Sequence, residues 1–238
     1  MSGLWIEFFH MNLHQEIITT LSKVAALKPV LIPDEFFSQR PLKTFGLIRI
    51  QGDKFRAEKI EKLGLVYTHF PLRIITLQRG VLYPEPSYDL PGLLIEMIRF
   101  PKFIFILLDF LLPPLPQDRH QYIIDQLKII YEKRKDLPRK VLQPFTETIA
   151  FRTGLGICGI FKSKVRNDLL SAVREYMELW SDLYRNSSYI EDTSSRKEII
   201  KYFTEYRRVG KIYSYHRKFF SLLMDKGWAE RFLIDIIF

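Results

Sequence analysis

The sequence predicts an α/β fold, a three-layer α/β/α sandwich with a central antiparallel sheet. Three observations carry this. About five strand-like segments follow one another between Lys43 and Asp109, joined by connections too short for the long crossover that a parallel pair requires. Helical periodicity stands before this run and again after it. Strands such as "FIFILL", residues 103–108, are apolar at every position, as expected for a strand covered on both faces.

The elements follow in order. Residues 11–27, "MNLHQEIITTLSKVAAL", place Leu13, Ile17, Leu21 and Val24 on one helical face, and Pro29 and Pro33 stop the helix. "KTFGLIRIQGDKFRAEKIEKL" predicts a hairpin turning at Gly52-Asp53. "RIITLQRGVLY", "GLLIEMIRF" and "KFIFILLDF" give three more strands rich in β-branched and aromatic residues. Pro101 sits in a tight turn between the last two. "YIIDQLKIIYEKRKDL" is a helix, and "TETIAFRT" with "GLGICGIF" forms a late strand or strand pair around Gly154. The next helix buries Val165, Leu169, Val173, Met177 and Trp180. After the loop "SSYIEDTSS", a long helical stretch breaks near Gly210, and "WAERFLIDIIF" closes the chain as a short helix.

Composition bounds the function. The chain has 238 residues, 47% apolar and 14% aromatic, enough to pack one domain over 1–238 and unlike a disordered chain. The single cysteine, Cys158, cannot form an intramolecular disulfide and reads as a buried structural thiol. The N-terminus has no secretory pattern. The most apolar run, "FIFILLDFLLPPLP", is interrupted by Asp109 and falls short of the about 20 residues a spanning helix needs. A soluble protein without a membrane partner is expected, cytoplasmic, or plastidic if the source is a plant or alga. The net charge of +9 suits an acidic partner, protein or nucleic acid.

No glycine-rich phosphate loop, dinucleotide fingerprint or nucleophile elbow is present. His10 and His14 stand four apart and read as a solvent-facing pair, since no third ligand accompanies them; no metal is expected. Glu96 stands out, a carboxylate inside the apolar strand "GLLIEMIRF", with Leu94 and Ile98 on its own face and Ile95 and Met97 on the other. Burial raises a carboxyl's proton affinity, which suits a proton donor. The alternative is a structural pair with Arg79 on the preceding strand. Both remain open from the residues alone.

"LYPEPSYDLPGLLIEMI" resembles a segment of the ferredoxin-dependent bilin reductases, through Pro84, Glu85, Pro86, Tyr88, Leu90 and Pro91. "ILLDFLLP" resembles the family's strand end at Asp109, and "GWAERFLIDIIF" resembles its closing segment. The resemblance implies the same sandwich, with an open-chain tetrapyrrole between the sheet and the C-terminal helices. It implies single electrons from external reduced ferredoxin, an acidic protein, with no bound cofactor. The family's central catalytic Asp corresponds to Glu96; the related red chlorophyll catabolite reductases use a Glu. The catalytic His of the phycocyanobilin-forming branch corresponds to Arg79, which cannot pass a proton at neutral pH and instead serves a propionate or holds Glu96 ionised. The family's Asn-Asp pair falls around Tyr213 and Ser214. Lys162 lies near the propionate-binding arginine.

The resulting expectation is a bilin reductase, a monomer acting on a biliverdin-type linear tetrapyrrole through proton-coupled single-electron steps. Glu96 is its first catalytic candidate and Asp109 a second, weaker one with a structural role at its strand end as the alternative; Arg79 and Lys162 bind substrate. A non-catalytic tetrapyrrole carrier of the same fold is the alternative. A basic nucleic-acid-binding protein is the weaker one, suggested by the aromatics in "YRRVGKIYSYHR" and "RKFF"; no nucleic acid is expected on the first reading.

Overall fold

The computed structural model describes residues 13–33, 36, 49–70, 75–137, 139–140, 150–213 and 226–238. Eight strands form one sheet: β1 (Lys28–Pro29), β2 (Arg49–Ala57), β3 (Ile60–His69), β4 (Thr76–Pro84), β5 (Gly92–Arg99), β6 (Phe103–Leu111), β7 (Arg139–Lys140) and β8 (Ile157–Lys162). Their spatial order is β1-β2-β3-β4-β5-β6-β8-β7, and every pairing is antiparallel. Five α-helices are described: α1 (Leu13–Leu21), α2 (Gln117–Glu132), α3 (Arg166–Arg185), α4 (Thr193–Tyr213) and α5 (Lys226–Ile236).

Side chains of the central strands alternate between two cores. Leu93, Ile95 and Met97 of β5 join Ile17 of α1, Leu127 of α2 and Leu169, Val173, Met177 and Trp180 of α3. Leu94, with Leu77 and Val81 of β4, joins Phe203 and Tyr206 of α4 and Trp228, Phe232 and Ile236 of α5. Helices therefore cover both faces, which explains the unbroken apolar strands. The α/β/α expectation holds, and so do the three antiparallel strands across β4–β6.

Several local expectations need correction. The β2–β3 hairpin turns at Glu58-Lys59, not at Gly52-Asp53. Gly52 is buried inside β2, where a Cβ would overlap the Ile236 side chain of α5. The glycine serves close helix–sheet packing. Gly210 likewise does not break α4, which runs on to Tyr213; a Cβ there would meet the Phe238 ring. The first helix ends at Leu21, short of the predicted 27, and Lys28–Pro29 pairs with β2. His14 turns inward to Asp53, 2.8 Å away, so it is no solvent-facing residue; His10 lies outside the described residues. Cys158 is half-buried on β8, less enclosed than expected. The β7 strand was not expected. The late segment holds one full strand, β8, preceded by a turn at Gly154 and an isolated bridge from Arg152 to Leu111; residues 141–149 lie outside the described residues.

The Pro-rich segment before β5 is a clamp. Asp89 Oδ1 accepts from the Ser188 N–H at 2.7 Å, and Ile190 N–H donates to Ser87 O at 2.8 Å. Arg119 of α2 donates to Asp89 O and Leu183 O at 3.2 and 3.0 Å. Trp180 Nε1 of α3 donates to Pro91 O at 2.9 Å. These bonds fix where β5 begins, and hence the register that carries Glu96. The segment also anchors the loop leading into α4, whose first turn is capped by Asp192, accepting from Ser194 N–H at 3.1 Å and Ser195 N–H at 2.8 Å.

Candidate active site

The β4–β5 register sets Arg79 directly opposite Glu96. On β5–β6, Glu96 faces Leu107 and Leu94 faces Asp109. Strand alternation thus brings Arg79, Glu96 and Asp109 to one face of the sheet, beneath α4 and α5. All three are buried, at 6%, 6% and 3% exposure. Burying an ion costs several kcal/mol even after relaxation, so charged and polar partners are required.

Burial pushes the Glu96 carboxyl above the ordinary glutamate range, while the Arg79 and Arg152 guanidiniums pull the other way. Arg79 hydrogen-bonds the Tyr206 hydroxyl of α4, and its guanidinium lies 5.1 Å from the centroid of the Phe238 ring. Burial likewise pushes Asp109 up to about 6, against the hydrogen bond from Thr153, the Phe110 amide and the Arg152 charge. Asp109 Oδ1 accepts both from Phe110 N–H at 2.8 Å and from the Thr153 hydroxyl. The Gly154 amide also favours the charged form, and burial outweighs these donors.

Two ion pairs hold the helical cover. Lys54 of β2 meets Asp235 of α5 at 3.0 Å, and Arg207 of α4 meets Glu61 of β3 at 2.6 Å. Arg207 also stacks on Tyr83 of β4, 4.3 Å from its centroid.

Lys162 shares this sheet face, opposite Phe103 in the β6–β8 register, but is exposed at the end of β8, away from the Arg79–Glu96 pair. Tyr213 ends α4, and Ser214 lies outside the described residues. Arg152, Thr153 and Tyr206 were missed from sequence. For Tyr206 a signal existed: Ile199, Phe203 and Tyr206 form the apolar stripe of α4, and one member carries a hydroxyl. Arg152 offered none, since its approach to Glu96 and Asp109 is made by tertiary packing. Tyr206 is 2% exposed, so this aromatic belongs to the core and gives no support to a nucleic-acid surface. Among the described residues, no His/Cys/Asp/Glu group could hold a metal, and no helix is long and apolar enough to cross a membrane.

The family model for ferredoxin-dependent bilin reductases matches residues 14–238. The chain belongs to this family.

Two bilin-reductase relatives, both named 15,16-dihydrobiliverdin:ferredoxin oxidoreductase, are similar in sequence. The protein from Nostoc punctiforme is 28% identical over 164 residues, covering 67% of this chain. That from Gloeobacter violaceus is 27% identical over 163 residues, again covering 67% of this chain. The chain spans 66% of the length of each of these relatives. Phytochromobilin synthase from tomato, crystallised in complex with biliverdin, superposes with a TM-score of 0.80 at 20% identity, over 93% of this chain and 79% of that one. It shows that the bilin-reductase fold is shared.

Proposed function

We propose that this chain reduces a linear tetrapyrrole with electrons from reduced ferredoxin. The observation that carries the reading is the pair of buried carboxyls, Glu96 and Asp109, on one sheet face under the C-terminal helices, both with raised proton affinity. The substrate class follows the relatives' printed names: a bilin of the biliverdin or 15,16-dihydrobiliverdin type.

Reducing one bilin double bond consumes two electrons and two protons. Two reduced ferredoxins supply the electrons, one each, and become oxidised. Ferredoxin carries no protons to the site, so the protein must deliver them where water is scarce. Glu96 is the proton donor in this reading, and Asp109, held protonated up to about pH 6, is the second. Arg79 offers its cation to a propionate or to the reduced, more negative pigment. Lys162 meets a propionate at the edge of the site. Binding requires Tyr206 and Phe238 to yield their places beside Arg79.

The carrier reading rests on one observation: Arg79 opposite Glu96 favours the ionised carboxyl, a poor acid. An anaerobic assay with reduced ferredoxin separates the two. Biliverdin and 15,16-dihydrobiliverdin are offered separately and followed by absorbance. Turnover of either supports the reductase. A spectral shift on mixing, without turnover of either, assigns the chain to the carrier role.

A further inference from the structure

The β5–β6 turn and the end of β8 make an exposed patch that joins aromatic side chains to lysines. Phe100 and Phe103 flank the turn, 40% and 47% exposed, where a folded chain ordinarily shelters aromatics. Phe100 N–H donates to Phe103 O at 2.8 Å, and Ser163 N–H donates to Lys102 O at 3.0 Å. The Ser163 hydroxyl donates to Pro101 O at 3.2 Å. The turn is thus tied to the start of the segment leading into α3. Lys102, Lys162 and Lys164 are all exposed here. The exposed charge at the turn is mainly positive, from Lys102, Lys162 and Lys164, with the exposed Asp168 one helical turn further on in α3. Lys140 of β7, opposite Ile160 in register, is exposed beside them.

Exposed aromatics ringed by cations fit a protein partner that presents carboxylates around a small apolar contact. The patch is also close to the site. Phe103 stands four residues along β6 from Leu107, the register partner of Glu96, about 13 Å at the usual strand rise.

We propose that this patch, centred on Phe103, Lys102 and Lys164, is where the acidic electron donor docks. The inference rests on the reading that ferredoxin is the donor. Lysines steer the carboxylate-rich surface, and Phe100 and Phe103 anchor it. The donor's cluster is then held at the end of the strands that lead to Glu96.

Binding of plant-type ferredoxin is measured by calorimetry, and binding of biliverdin and of 15,16-dihydrobiliverdin by absorbance, on the same preparations. Lys102→Glu/Lys164→Glu should weaken ferredoxin at least about tenfold, since like charges are then opposed. Phe103→Ala should weaken it at least about fivefold, as loss of an aromatic anchor does. Bilin binding should be unchanged in both. The matched control Lys197→Glu/Lys201→Glu, on the exposed side of α4, should bind ferredoxin like the wild type. Equal losses in the two charge variants would show a net-charge effect and overturn the proposal, as would full affinity in the first. Wild type that binds either bilin but not ferredoxin overturns this surface and favours the carrier. Wild type that binds no bilin overturns the functional reading itself.

Discussion

Arg79 and Glu96 stand opposite one another on adjacent central strands, and Arg79 also meets the Tyr206 hydroxyl of α4 and the Phe238 ring that follows α5. One guanidinium therefore links the sheet acid to the two helices that cover it. It lowers the proton affinity that burial raises, and so tunes the acid.

Replacing Arg79 with Gln removes that cation. The Glu96 carboxyl should then hold its proton to higher pH. A general acid works only while protonated, so the alkaline limb of kcat against pH, at saturating ferredoxin, should move upward. A limb that moves downward would contradict the assignment.

Asp109 gives a stability test with a defined sign. Its native proton affinity is raised, to about 6 from 3.8, so the folded state binds this proton more tightly than the unfolded chain. The stabilisation is fully present below about pH 4 and is lost as pH rises through about 6. That interval corresponds to roughly 3 kcal/mol. Asp109→Asn keeps an oxygen for Thr153 and Phe110 but has nothing to ionise. Its stability relative to wild type should increase between pH 4 and 7, as read by urea unfolding. A flat difference would mean Asp109 does not titrate in that window.

Gly64 of β3 lies against the Ile236 carbonyl at the end of α5, where a Cβ would overlap backbone. Gly64→Ala should lift α5 and cost about 1–3 kcal/mol, seen as a lowered Tm.

Salt should act on the donor and not on the pigment. The KM for ferredoxin should rise steeply with ionic strength, since steering is screened over about 8 Å at physiological salt. Salt-independent turnover at limiting ferredoxin would exclude electrostatic docking.

Much of the site was legible because strand alternation is strict. The apolar run of β6 carries no phase of its own, so it is the β5–β6 register that puts Glu96 and Asp109 on one face, while Arg79 was legible as a cation on the preceding strand. What was illegible lies across layers. Arg152 reaches both acids from a segment with only an isolated bridge, and nothing local marks it. Gly52-Asp53 carries turn chemistry, yet α5 packing needs that glycine inside a strand, so tertiary contact overrode the local signal. The two-residue strands β1 and β7 are too short to show any period. The segment most like the family, Pro84–Pro91, proves to be the clamp that sets the β5 register.

The most direct test of Glu96 as proton donor is Glu96→Gln under anaerobic turnover, with thermal unfolding on the same preparation. Gln preserves shape and hydrogen-bonding reach but has no acidic proton. The variant should bind the bilin, accept an electron and accumulate a one-electron-reduced pigment detectable by electron paramagnetic resonance. Product formation should fall by about 10²- to 10⁴-fold, with Tm near that of the wild type. Wild-type turnover combined with a lowered Tm, reflecting the about 3–5 kcal/mol of stability that breaking a buried pair costs, would make Glu96 a structural partner of Arg79 and contradict the account.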